Sequence, residues 1–227
     1  MCVSRTARRL PAFACRRIPV IAARTRFRMR PSARRFAKDQ RVCRHAFDSR
    51  NHVCMTAIRY IVCMGVSGSG KSTLGHAIAE RMHWPFVEGD DLHPDVNVEK
   101  MRHGVPLDDA DRRPWLEAVA RTVRQWRAQD RSGVISCSAL RRAYRDVIAD
   151  GHEDVLFVYL HCSRERLAQR LADRRGHFMS ADLLDSQLAT LEAPLSPPER
   201  ALRLEIERPA QELVRDVVDA VSRSAVD

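Results

Sequence analysis

Gly65-Val66-Ser67-Gly68-Ser69-Gly70-Lys71-Ser72-Thr73 fits G-x-x-x-x-G-K-[ST], the pattern of a phosphate-binding P-loop. Its glycines let the chain turn tightly and bring backbone N–H groups close to phosphate oxygens. Lys71 sets a positive charge against the β- and γ-phosphates of a nucleotide, and the Ser72 hydroxyl can complete a Mg²⁺ shell. Before the loop, Tyr60-Ile61-Val62-Cys63-Met64 is short and apolar, as a buried parallel strand requires. After it, Leu74, Ile78 and Met82 recur at four-residue spacing, which predicts an amphipathic helix over 72–82. Strand, glycine loop and helix N-terminus in that order make an anion site. A Gly/Ser-rich turn with a stray lysine would lack both flanks.

The 227 residues leave room for one domain of ordinary size with an appendage. The net charge of +10 suggests a nucleic-acid binder until it is divided along the chain. Residues 1–54 carry 15 Lys+Arg against 2 Asp+Glu, net +13, and residues 55–227 carry 24 against 27, net −3. The basicity belongs to the leader, and the remaining domain is mildly acidic. That leader is rich in Arg and Ala, lacks a sustained hydrophobic period, and cannot bury enough apolar surface to fold alone. Three readings stay open for it: an organelle transit peptide, a basic arm for nucleic acid or anionic membrane, or sequence upstream of a true start at Met55. The last is preferred, because Met55 lies just before the first strand. Cys63, Cys137 and Cys162 each fall in or beside an expected buried strand, where free cysteine is a common small hydrophobe. Without a C-x-x-C pair or Cys/His ligand spacing, the pattern points away from zinc and towards a reducing cytoplasm. No apolar run reaches the length of a membrane span.

Along the domain, residues 84–88 read as a second strand, followed by the polar turn Gly89-Asp90-Asp91-Leu92-His93-Pro94. Ligands of an open parallel sheet sit outside the carboxyl ends of its strands, so Asp90 should face the P-loop crevice. A short helix is expected over 97–103, with Asn97 as N-cap and Gly104 as its stop. A long helix follows, capped by Asp111 with Pro114 in its first turn, burying Trp115, Val119, Val123 and Trp126. A third strand (133–137), a helix (141–149) and a fourth strand (155–160) come next. Ser163 caps a helix whose Arg166, Arg170 and Arg174 form a basic stripe. Ser180 starts another helix, residues 202–206 alternate as a fifth strand, and Pro209 opens the last helix. Five strands alternating with helices predict an α/β fold with a parallel sheet and right-handed crossovers. The connection over 174–180 is the candidate lid.

Phosphoryl transfer needs neutralised phosphates, an oriented hydroxyl and excluded water. Asp90 could orient the acceptor hydroxyl and take its proton, although an aspartate there could equally serve only the turn. Arg170 and Arg174 could steady charge on the transferring group, or could be a solvated helix face. His93 and His177 have no metal partner at ligand spacing.

Taken together, these residues resemble the gluconate kinases, P-loop small-molecule kinases related to shikimate kinase. The resemblance rests on the P-loop with Met64, on Gly89-Asp90-Asp91-Leu92-His93-Pro94, and on Asn97 with Lys100-Met101. It continues through residues 104–116, Cys137-Ser138-Ala139-Leu140-Arg141, Tyr144-Arg145-Asp146, Gly176-His177-Phe178, Gln187 and Thr190-Leu191-Glu192. It implies ATP-dependent phosphorylation of D-gluconate to 6-phospho-D-gluconate, with Mg²⁺ as cofactor and sheet order 2-3-1-4-5. It implies ATP contacts from the P-loop and from the backbone near Arg208. It makes Asp90 the proton acceptor, with Lys71 and the lid-region Arg170 and Arg174 as its catalytic companions. It places His93, Asn97, Lys100, Arg112, Arg141, His177 and Gln187 around the sugar acid. Arg141 stands where the family usually has Lys, and Glu88 where Asp is common. The family tends to dimers. A shikimate-kinase-like enzyme is the alternative within the class. A nucleotide-dependent nucleic-acid binder using residues 1–54 is the alternative outside it, and the domain's −3 charge argues against that one.

Overall fold

The computed structural model describes residues 56–173, 181–194 and 199–225. Five strands, β1 (Tyr60–Met64), β2 (Phe86–Glu88), β3 (Gly133–Ser136), β4 (Val155–His161) and β5 (Ala201–Glu205), form one parallel sheet in the order β2-β3-β1-β4-β5. This is the expected order. The helices are α1 (Lys71–Met82), α2 (Asp95–Arg102), α3 (Asp109–Ala128), α4 (Arg142–Ala149), α5 (Arg164–Asp173), α6 (Ala181–Thr190) and α7 (Ala210–Ser224).

Strand periodicity sorts the core into two layers. Ile61 and Cys63 of β1 join Leu74 and Ile78 of α1 and Leu213, Val217 and Val221 of α7 on one face. Tyr60, Val62 and Met64 join Trp115, Val119 and Val123 of α3 and Ile148 of α4 on the other. All five residues of β1 are buried, which is why its sequence is an unbroken apolar run rather than an alternating one. Cys63, Cys137 and Cys162 are free and buried, as expected of small core residues.

Local differences from the sequence reading have local causes. Strand β2 begins at Phe86, two residues late. Helix α3 is capped by Asp108, not Asp111: the Asp108 carboxylate accepts from the Asp111 N–H at 2.8 Å, and Asp111 reciprocates to the Asp108 N–H at 3.2 Å. The capping box therefore starts the helix early and leaves Pro114 in its second turn. Asn97 caps nothing. Helix α2 starts at Asp95, and Asn97 is buried in its first turn, donating to the Asp111 carbonyl at 2.7 Å. Gly104 ends α2 as expected, at φ +70°, with the Val105 N–H returned to the Lys100 carbonyl at 2.9 Å.

Candidate active site

The loop between β1 and α1 takes the shape its glycines permit. Gly65, Gly68 and Gly70 have φ of +140°, +82° and +97°, conformations that side-chain-bearing residues avoid. Helix α1 begins at Lys71, so Lys71, Ser72 and Thr73 occupy its first turn, where unpaired N–H groups favour an anion. The Lys71 stem is buried and its Nζ donates to the Val66 carbonyl at 3.2 Å, spanning the loop. The Ser69 hydroxyl is buried without a hydrogen-bond partner. Ser72 and Thr73 are exposed.

Two hydrogen bonds to the end of β3 place the second half of the site. The Gly65 N–H donates to the Ser138 carbonyl at 3.2 Å, and the Gly89 N–H donates to the Ser136 hydroxyl at 3.2 Å. The phosphate loop and the turn carrying Asp90 therefore hang from positions two residues apart on one strand end. Cys137 lies between these two positions in sequence, and its thiol is buried. Burial pushes its pKa up to about 12, and it feels both Asp90, which raises it, and Lys71, which lowers it. Asp90 is exposed in a 3-10 turn, Gly89–Leu92. Trp115 fixes that turn: its indole N–H donates to the Gly89 carbonyl at 2.7 Å, and its ring stacks on His93 at 4.2 Å between centroids. The helical period marks Trp115 as core, which it is, but carries no sign of this second task. Glu88 accepts from the Ser136 hydroxyl.

The wall beyond Asp90 is charged. Burial lowers the pKa of His93, with Asp90 opposing and Arg112 reinforcing the shift, so all three share one neighbourhood. Arg112 donates to the Tyr144 hydroxyl at 3.4 Å, Arg141 pairs with Asp109 at 2.6 Å, and Tyr144 donates to Asp109. Lys100 is tied to Asp111 at 2.6 Å, so this cation of α2 already holds a carboxylate of α3.

The remaining site residues divide. Arg170 approaches the loop, with Nη1 3.5 Å from the Ser69 carbonyl, and Leu171 packs where a Cβ on Gly68 would fall, 3.1 Å away. Gln187 sits against the phosphate loop: its Oε1 accepts from the Ser67 N–H at 2.8 Å, and its Nε2 donates to the Ser67 hydroxyl at 3.2 Å. Arg208 pairs with Asp216 and Glu212 at the start of α7. Arg174, His177 and the lid over 174–180 lie outside the described residues. Tyr144 and Asp109 belong to the cluster but are not among the site residues expected from the sequence, since neither helical period nor charge spacing shows that α3 and α4 meet there.

Residues 61–198 match the model of a family described as AAA domain. The chain is 42% identical over 178 residues to a probable gluconokinase of Xenopus tropicalis, covering 72% of this chain and 93% of that protein. It is 49% identical over 136 residues to a gluconokinase of Gluconobacter oxydans, covering 60% and 76%. The crystal structure of a gluconokinase from Sinorhizobium meliloti superposes with a TM-score of 0.67 at 44% identity, covering 74% of this chain and 94% of that one.

Proposed function

This chain belongs to the gluconokinase family, and from that premise we propose that it transfers the terminal phosphoryl group of ATP to D-gluconate, giving 6-phospho-D-gluconate and ADP. One observation carries the reading most directly: the loop of Lys71 and the turn of Asp90 are both anchored on the end of β3. An acceptor hydroxyl held by Asp90 can there meet a phosphate held by the loop.

In this reading the backbone N–H groups of the loop and α1 bind the phosphates, and Lys71 offsets their charge. The unpartnered Ser69 hydroxyl and the positive-φ glycines fit such a cradle. Asp90 aligns the acceptor hydroxyl and accepts its proton. Arg170, with Arg174, steadies charge on the group in transit. Mg²⁺ fits the donor set, since the exposed Ser72 hydroxyl beside Lys71 is a hard oxygen ligand. Among the described residues no group of three His, Cys, Asp or Glu could hold a metal, which suits an ion carried mainly by nucleotide phosphates and water. When bound, the ion would neutralise phosphate charge. Arg112, Arg141 and Tyr144 receive the acid end of the substrate, and His93 and Asn97 line the approach. The same reading has residues 55–227 as the catalytic unit, a homodimer as the assembly and the cytoplasm as the working compartment.

The test is ADP release on a panel of D-gluconate, shikimate and other sugar acids. Gluconate-dependent release, lost in Lys71→Ala and in Asp90→Asn, is the expected result. Asp90→Asn should still bind ATP, because the aspartate serves the acceptor. Near-normal turnover by Asp90→Asn would falsify the base assignment, and a preference for shikimate would overturn the substrate.

A further inference from the structure

Three donors converge on one carboxylate beside the acceptor turn. Arg141 Nη1 donates to Asp109 Oδ2 at 2.6 Å, the Tyr144 hydroxyl donates to Asp109 Oδ1, and Arg112 Nη1 lies 3.7 Å from that same oxygen. Both guanidiniums stand 5.9 Å from the centre of the Tyr144 ring. Two guanidiniums and a phenol around a carboxylate are the donor set that recognises an acid. The exposure of the parts differs. Tyr144 is buried and Arg112 is 20% exposed, whereas Asp109 is 58% exposed. Two of the donors, Tyr144 and Arg112, are held by the fold, whereas Arg141, 41% exposed, and Asp109 meet at the solvent edge.

We infer that Asp109 is a built-in stand-in for the substrate's acid group, filling the Arg112–Arg141–Tyr144 subsite until a sugar-acid carboxylate displaces it. The inference rests on the sugar-acid kinase reading above. Displacement is cheap for two reasons. Exposed ion pairs are weakly held, and Asp109 is the first residue of α3, so its released charge stays in water at a helix N-terminus, where negative charge is favoured. A sugar acid brings hydroxyl contacts of its own and tips the exchange. The corresponding neutral polyol has no carboxylate to offer the two guanidiniums, so it does not enter the subsite and Asp109 stays paired in its presence.

Calorimetric binding of D-gluconate, glucitol and ATP to the wild-type chain, Asp109→Asn and Tyr144→Phe tests this, with thermal unfolding as the folding control. Asp109→Asn should bind gluconate about five-fold more tightly, as expected when a weak exposed pair no longer competes. Its affinities for ATP and glucitol should not move. Tyr144→Phe should weaken gluconate binding by several-fold. Asp109→Ser, which keeps a residue suited to a helix start, serves if the asparagine variant folds poorly. Unchanged or weaker gluconate binding by the Asp109 variants overturns the inference, as does an equal gain for glucitol or no gluconate binding by any protein. Tightened binding without wild-type turnover would instead defeat the kinase reading and leave the subsite standing. Turnover without an Asp109 effect would do the reverse.

Discussion

A methyl group added at position 89 would lie 1.9 Å from the Ser136 carbonyl oxygen. That oxygen is backbone of β3, so no side-chain rotation relieves the clash, and β2 or the Asp90 turn must move. Gly89→Ala should therefore cost at least about 2 kcal/mol of stability and lower kcat together with Tm. Asp90→Asn, one residue on, should remove turnover and leave Tm nearly alone. Measuring both quantities on both variants separates the residue that shapes the turn from the one proposed to accept the proton. His93 gives a pH prediction at the same scale. Burial lowers its pKa below the ordinary 6.5, so the folded chain takes up a proton less readily than the unfolded one. The His93 contribution to stability is then full above pH 6.5, falls as pH drops from there to the lowered folded value, and stays lost below it. His93→Gln should flatten that part of a stability–pH curve measured by chemical denaturation, and an unchanged slope would contradict the assignment.

Elements were legible where one physical rule dominates. Strand β1 and helix α1 announce themselves because a fully buried strand and a glycine-turned phosphate loop each demand a narrow set of residues. Helix starts were less legible. Asp108 and Asp111 are both good caps by residue type, and only the reciprocal bonds of the folded box show which one leads. Contacts between distant elements were not legible at all. The Gln187 carboxamide bonds a loop residue 120 positions away, and Arg145 is one of two arginines in a helix that looks merely amphipathic. In the structure Arg145 is 1% exposed. It donates to the Ala139 and Leu140 carbonyls at 3.1 and 3.2 Å and holds Glu199, 9% exposed, through two bonds of 2.7 and 3.1 Å. Helix α4 thereby clamps the segment after β3, from which the Ser138 carbonyl supports the phosphate loop. Arg145→Met should leave Glu199 buried without its partner and cost about 3–5 kcal/mol. Equilibrium denaturation reads that loss directly, and a cost below about 1 kcal/mol would mean that the pair is looser than its burial indicates.

For the molecule as a whole, both core layers of the described residues lie within the span after Met55. One layer runs from Ile58 to Val221 and the other from Tyr60 to Ala201. Both faces of the sheet are covered by helices of this span, and the Ile58 N–H is paired with the Ser224 hydroxyl at 2.9 Å, closing the start of the domain on its end. The net charge of +13 over residues 1–54 and −3 over the rest makes the leader responsible for any attraction to polyanions, which weakens steeply with salt. A chain beginning at Met55 should therefore keep kcat and both KM values within about two-fold and change its stability by no more than about 0.5 kcal/mol, the range of surface changes away from a core. Any salt-sensitive retention of the full chain on DNA should vanish with the shorter one. If the shorter chain lost gluconate turnover while remaining folded, residues 1–54 would have to contribute to the reaction. If it failed to fold, the two core layers would be insufficient on their own.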